Sequence, residues 1–228
     1  MDKKLIEHTL ESLYASNVKE RKFDESIELI LTFKNLNIKN KDHRFDFIVN
    51  IPHPYLKKVR SFIFIKDKTL AESLKGIVDK IVFDEEIPKM KKTEVKKLTT
   101  EYDVFLAEGP VMLTVGKYLG QALSPRGKMP IIAPPNPNAI KALIDAYPSK
   151  LKVSNVKNKS SVAIQLKIGK KSQAKNDIAD NVMTVYNALI EKLPAGKHNI
   201  KYMALKTTMS TIQKVGDKEW LHTLKNGE

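Results

Sequence analysis

Phe62-Ile63-Phe64-Ile65 is apolar at four successive positions. Side chains of a strand point alternately to its two faces, so such a run is covered on both sides, as in a parallel sheet sandwiched by helices. The pattern recurs in Ile81-Val82-Phe83 and Val104-Phe105-Leu106. Helix-period segments follow each run: Leu70, Leu74, Ile77 and Val78 after the first, a charged helix over Glu85 to Leu98 after the second, and a helix from Pro110 to about Leu123 after the third. Strand–helix alternation of this kind specifies an α/β domain. Ser124 to Pro135 reads as a long connector, and Asn136-Pro137 opens a further helix that carries Ile140, Leu143 and Ile144 up to Pro148.

Outward from this block the pattern changes on both sides. Toward the N-terminus, Ile27, Leu29, Leu31 and Phe33 alternate with polar residues, as do Phe45, Phe47, Val49 and Ile51 before Pro52-His53-Pro54. These are one-sided strands. Residues 3–18, with Leu5, Ile6, Leu10, Leu13 and Tyr14, predict an amphipathic helix. Toward the C-terminus, Leu151, Val153 and Val156 form one strand, and Val162, Ile164, Leu166 and Ile168 another, ended by Gly169. Ile178 to Leu193 predicts a helix, and Ile200, Tyr202 and Ala204 a last strand that runs into Lys206-Thr207-Thr208-Met209-Ser210. The simplest architecture is a discontinuous α+β domain with an antiparallel sheet, residues 1–57 and 150–228, that holds an inserted Rossmann-like α/β domain, residues 58–149.

Charge follows the same division. The chain of 228 residues carries a formal +14. Residues 150–228 hold 15 basic and 6 acidic side chains, a surplus of nine, residues 58–149 hold 15 and 11, and residues 1–57 hold 10 and 9. Lys152, Lys157, Lys159, Lys167, Lys170, Lys171, Lys201 and Lys206 belong to the most basic part. A surplus of this size points to a polyanion, nucleic acid before an acidic membrane surface. The absence of cysteine excludes disulfides, thiolate metal sites and cysteine nucleophiles. No apolar run approaches a membrane span and no signal core follows Met1, so a soluble, intracellular protein without membrane attachment is expected.

Catalytic constellations are not legible. His8, His43, His53, His198 and His222 have no metal-ligand spacing, and neither a GxSxG nor a GxGxxG motif occurs. Gly120 to Lys128 imitates a phosphate loop, but six residues separate its glycines, Met129 replaces the magnesium-holding hydroxyl, and the segment follows a helix. A nucleotide-dependent enzyme using the inserted domain is therefore the competing reading, and no cofactor or metal is expected. RNA binding fits better. Lysines supply phosphate contacts. Hydroxyls such as Thr207, Thr208 and Ser210 suit contact with 2′-hydroxyls. Thr-Thr also suits a plain strand end. Phe23 suits packing on a sugar or base, and equally a core position.

Six stretches together resemble the large-subunit ribosomal protein L-one family, the protein of the mobile side stalk. They are Lys22-Phe23-Asp24-Glu25-Ser26-Ile27-Glu28-Leu29, Arg44-Phe45, Ile51-Pro52-His53-Pro54, Tyr102-Asp103-Val104-Phe105-Leu106-Ala107, Pro125-Arg126-Gly127-Lys128-Met129-Pro130 and Lys206-Thr207-Thr208-Met209. They occur in family order, with an archaeal or bacterial flavour. The resemblance implies a non-enzymatic, cytoplasmic constituent of the large ribosomal subunit, monomeric when free. Its implied partners are large-subunit rRNA, exit-site tRNA, whose release the stalk assists, and its own mRNA, whose translation non-eukaryotic members repress. The implied rRNA site, combined with the basic residues above, comprises Lys22, Phe23, Asp24, Glu25, Glu28, Lys167, Gly169, Lys170, Lys201, Lys206, Thr207, Thr208, Met209 and Ser210. Arg126, Gly127 and Lys128 form a secondary contact. Two residues depart from the family pattern: Ser210 and Ser124 stand where glycine is usual. Glycine permits close backbone approach and positive φ, whereas Ser210 adds a hydroxyl.

Overall fold

A computed structural model describes residues 2–16, 21–37, 40–56, 58–156 and 163–216. The expectations for Lys157, Lys159, Val162 and the terminal stretch 217–228 lie outside these residues. Along the chain run α1 (Lys3–Ser16), β1 (Ser26–Phe33), β2 (Asp46–Asn50), β3 (Ser61–Ile65), α2 (Lys68–Ser73), β4 (Lys80–Phe83), α3 (Lys92–Glu101), β5 (Val104–Glu108), α4 (Val111–Leu123), β6 (Ile131–Ala133), α5 (Pro137–Ala146), β7 (Lys150–Ser154), β8 (Ala163–Lys170), α6 (Lys175–Lys192), β9 (Ile200–Thr207) and β10 (Gln213–Lys214). The chain divides into two compact units: Met1–Tyr55 with Ser149–Glu228, and Leu56–Pro148.

In the second unit, the two-sided strands form a parallel sheet in the order β4-β3-β5-β6. Alternation in β3 serves two cores at once. Phe62 and Phe64 join Phe105, Val95, Val115 and Leu119 on one face, while Ile63 and Ile65 join Leu106, Leu74, Ile140 and Ile144 on the other. Phe62 packs edge-on to Tyr102 and tilted against Phe105, each with centroids 5.2 Å apart.

Three local expectations need correction here. The charged stretch after β4 is not one helix. It is a 3-10 turn over Asp84–Lys89 that contains Pro88, then α3, because proline lacks the N–H and clashes with the preceding turn. The helix after β3 stops at Ser73, short of Ile77 and Val78, ahead of Gly76 at φ +88°. The long connector holds a fourth strand, β6, which pairs with β5 between Pro130 and Pro134. Gly120 lies inside α4, and Gly127, at φ 67°, closes a 3-10 turn over Ser124–Arg126. The imitation phosphate loop is thus a helix end. Ser124 itself is helical at φ −60° and carries no glycine-type strain.

The first unit holds an antiparallel sheet, β10-β9-β1-β8, and a two-stranded ribbon, β2-β7. Strand β1, from the N-terminal segment, is central and pairs with β8 and β9 from the C-terminal segment. Its burial alternates along its length. Ile27, Leu29, Leu31 and Phe33 enter a core with Ile6, Leu10 and Leu13 of α1 and Ile178, Val182, Val185 and Leu189 of α6. The other sheet face carries Ser26, Glu28, Ile30 and Thr32. Strand β8 does not end at Gly169 but runs to Lys170, with a bulge opposite Ile27/Glu28. No helix among the described residues is long and apolar enough to cross a membrane.

Buried asparagines hold the irregular segments. Asn181 is fully buried on α6. Its Oδ1 accepts from the His53 N–H at 3.0 Å, and its Nδ2 donates to the carbonyls of His53 (2.7 Å) and Ile168 (3.0 Å). Asn155 and Asn199 similarly bind backbone groups at Phe45 and His43, and at Ala195 and Lys34. Asn181→Ala strands three backbone groups, the Ile168 carbonyl buried and the two of His53 partly so, and should lower stability by about 2–4 kcal/mol. Urea denaturation measures this, and a loss within about 0.5 kcal/mol, the range of an ordinary surface change, would contradict it.

Candidate nucleic-acid interface

The start of β1 and the end of β9 come together at one end of the antiparallel sheet. Glu25, just before β1, is 1% exposed, and Thr207, the last residue of β9, is fully buried. The Thr207 hydroxyl donates to Glu25 Oε1 at 3.1 Å, and the Met209 N–H donates to the same oxygen at 3.2 Å. Lys171 Nζ lies 3.7 Å from Glu25 Oε2, and its N–H donates to the Glu25 carbonyl at 2.8 Å. Hydrogen bonds to an ionised carboxylate are stronger than neutral ones, and a buried charge demands them. Glu25 and Thr207 were both expected to contact RNA. Their side chains point inward instead and hold the surrounding backbone.

What they hold is exposed. Phe23 is 53% exposed and Met209 56%, so Phe23 is not a core residue. Thr208 is exposed, and its hydroxyl accepts from the Ser26 N–H at 3.0 Å, continuing the strand ladder with a side chain. Ser210 is half-buried: its Oγ accepts from the Thr207 N–H at 2.8 Å and donates to the Thr211 carbonyl at 3.0 Å. Among described residues other than glycine, only Asn35 has positive φ. Ser210 therefore closes the turn with a hydroxyl, in a conformation that needs no glycine. Asp24 anchors the next loop: it accepts from the Ser172 N–H (3.2 Å) and hydroxyl (2.8 Å) and lies 3.5 Å from Lys170 Nζ. Partial burial works to raise its pKa, but the Ser172 bonds and the Lys170 ammonium outweigh it and hold the carboxyl below the usual value. Arg21, Phe23, Asp24, Glu25, Lys171 and Ser172 line an open hollow.

The bulge in β8 decides where two lysines point. Three residues apart in a regular strand, Lys167 and Lys170 would face opposite sides. Ile27 pairs with Gly169 and Glu28 with Lys167, leaving Ile168 as the additional residue, so both lysines reach the outer face. Lys167 sits 4.8 Å from the Tyr55 ring centroid. Burial pushes its pKa down, reinforced by the Lys170 charge and opposed by Asp24 and Glu28. Lys206 flanks Glu28 from the other side, and Glu28 accepts from the Gln165 amide. Gly169 is buried. A Cβ there would lie 3.0 Å from Gln173 Oε1 and 3.1 Å from Ile178 Cγ1, so glycine lets α6 pack closely. Lys22 is exposed beside Phe23. Lys201 is exposed at a second bulge, in β9 at the far end of the sheet.

The secondary contact is only partly available. Arg126 and Gly127 are exposed. Lys128, however, is half-buried and donates to the Tyr102 and Asp103 carbonyls at 3.2 and 2.6 Å, just beyond α3. Burial lowers its pKa, with the Asp103 charge opposing. The ammonium caps a helix C-terminus, where positive charge is favoured. At the strand ends where α/β domains bind ligands, Glu108 Oε2 accepts from the N–H groups of Lys66 (2.8 Å) and Asp67 (3.2 Å). This unit's own carboxylate thus satisfies the donors that a phosphate would use.

Lys171, Ser172 and Tyr55 are additions to the sequence-derived set. A basic run after a strand was the one signal for Lys171. Nothing in the local pattern marks Ser172 or Tyr55. Lys128→Ala should lower stability by about 1–3 kcal/mol through the lost cap and leave the salt dependence of RNA binding unchanged. A salt slope reduced by roughly one unit with unaltered melting would instead make Lys128 a phosphate contact.

Residues 14–211 match the model of the ribosomal protein L1p/L10e family. The chain is 31% identical over 215 residues to the large ribosomal subunit protein uL1 of Pyrococcus abyssi, covering 93% of this chain and 95% of that protein. It is 33% identical over 199 residues to the protein of the same name from Thermoplasma volcanium, covering 86% and 89%, and 32% identical over 213 residues to that of Thermofilum pendens, covering 92% of each.

Proposed function

The chain belongs to the ribosomal protein L1p/L10e family, and from that premise we propose that it is a structural constituent of the large ribosomal subunit. It binds large-subunit rRNA in the mobile side stalk, assists release of exit-site tRNA, represses translation of its own mRNA, and acts in the cytoplasm as a monomer when free of RNA. The curated relatives are named as large-subunit proteins, and the stalk, tRNA and mRNA roles follow from the family resemblance. The discontinuous unit carries the main RNA surface, and the inserted unit contributes a weaker contact through Arg126 and Gly127.

One observation carries the assignment of the site. Phe23, Thr208 and Met209 stand exposed together around the buried Glu25–Thr207 pair, beside Lys170 and Lys22. An exposed aromatic, a hydroxyl and a thioether among cations suit a folded RNA, whose recognition uses stacking and 2′-hydroxyl contacts. Lysines on the outer face add phosphate contacts, so binding weakens steeply with salt.

The test is equilibrium binding of a side-stalk rRNA fragment across a salt series. Phe23→Ala or Thr208→Val should weaken specific binding by about 1–3 kcal/mol. Lys201→Ala should chiefly reduce the salt slope, by roughly one unit. Wild-type affinity in both Phe23→Ala and Thr208→Val, with the fold intact, refutes the site.

A further inference from the structure

We propose that the RNA surface continues along the outer sheet face to a second contact zone centred on Tyr202, where a nucleotide stacks on the phenol ring beside Lys214. The inference rests on the RNA-binding reading and extends it to a residue at the opposite end of β9.

Register places the zone. Directly paired residues of antiparallel strands share a face. Row by row, the outer face therefore carries Lys167, Glu28 and Lys206, then Gln165, Ile30, Ala204 and Lys214, then Ala163, Thr32 and Tyr202. Met203, Leu205 and Thr207 of β9 are buried on the inner face. Tyr202 is 36% exposed, and Lys214 Nζ lies 5.6 Å from its ring centroid. Lys201, set out of register by its bulge, is exposed next to it. Ala204, between Tyr202 and Lys206, is fully buried beneath its neighbours, so the ring and the ammonium are the accessible groups of β9 on this face.

The chemistry favours RNA as occupant. A ring about one-third exposed, with one ammonium over it and the Lys201 cation next to it, is a combination that stacks a base once the lysine turns to the adjoining phosphate. Among the described residues of these rows, Glu28 is the one carboxylate, and it already accepts from the Gln165 amide. The face is continuous with the Phe23–Thr208 cluster through Lys206. Thr208 lies six positions beyond Tyr202, roughly 20 Å at about 3.3 Å per residue. A single nucleotide cannot bridge that, so the bound RNA runs along β9.

The experiment uses the full chain and a side-stalk fragment of large-subunit rRNA, with affinity and hydroxyl-radical footprints measured together. Tyr202→Ala should weaken binding roughly five- to hundredfold. Tyr202→Phe, which keeps the ring, should stay within about twofold of wild type. Protection lost in Tyr202→Ala should fall on nucleotides separate from those lost in Phe23→Ala. Lys214→Ala, a surface change, should weaken binding and lower the salt slope by roughly one unit. Wild-type affinity and an unchanged footprint in folded Tyr202→Ala overturn the second zone and leave the Phe23 site standing. Equal losses in Tyr202→Ala and Tyr202→Phe also overturn it, since the ring would not be the contact. Failure of the unmutated chain to bind the fragment overturns the RNA reading itself, and the second zone with it.

Discussion

The Glu25 carboxylate is where the two ends of this chain are tied. At 1% exposure it receives the Thr207 hydroxyl and the Met209 N–H on one oxygen and faces the Lys171 ammonium with the other. Removing one partner of a buried charge typically costs about 3–5 kcal/mol, because the remaining charge is left without compensation. That asymmetry makes Glu25 a strong positional constraint. It sets the turn after β9 against the start of β1, and so fixes where Phe23, Thr208 and Met209 emerge. Ser210 and Thr208 tighten the same junction, each by a hydroxyl bonded to backbone across the turn or between strands.

The rest of the first unit follows from β1 being central. A strand from residues 26–33 that pairs with β8 on one side and β9 on the other forces a discontinuous unit, whatever is inserted between. Its alternating apolar set supplies the inner face, and the polar set becomes an open outer face rich in lysine. One bulge in β8 is enough to bring Lys167 and Lys170 onto that face together. The second unit uses a different logic. Every β3 residue is buried, and its four apolar ones divide two per side. Its polar groups close on themselves, with Glu108 against the strand-end amides and Lys128 against the carbonyls beyond α3.

Much of this was legible in the residues. Periodicity distinguishes Phe62–Ile65 from Ile27–Phe33, and with it the two sheet types. Asn136-Pro137 marks the start of α5, with the Asn136 side chain accepting from the Asn138 N–H at 3.0 Å. The misses have physical causes. Strand β6 has three residues between prolines, too few to show a period. Pro88 broke a helix whose charged pattern otherwise continued. Glu25 and Thr207 are polar residues whose burial depends on each other across 182 positions, and Lys128 is drawn in by carbonyls 25 and 26 positions away. A local pattern carries no information about such partners, so it does not separate a residue that holds backbone in place from one that stands free at the surface.

That distinction can be measured directly. Glu25 is 1% exposed, so its part in the proposed RNA surface is to place Phe23, Thr208 and Met209. Glu25→Ala should be compared with wild type for binding of the side-stalk rRNA fragment, well below the variant's own unfolding temperature. The predicted result is affinity lower by roughly tenfold or more, about 1.4 kcal/mol, in a chain that keeps its folded circular dichroism. Wild-type affinity in folded Glu25→Ala would contradict the account, because Phe23, Thr208 and Met209 would then be placed without it.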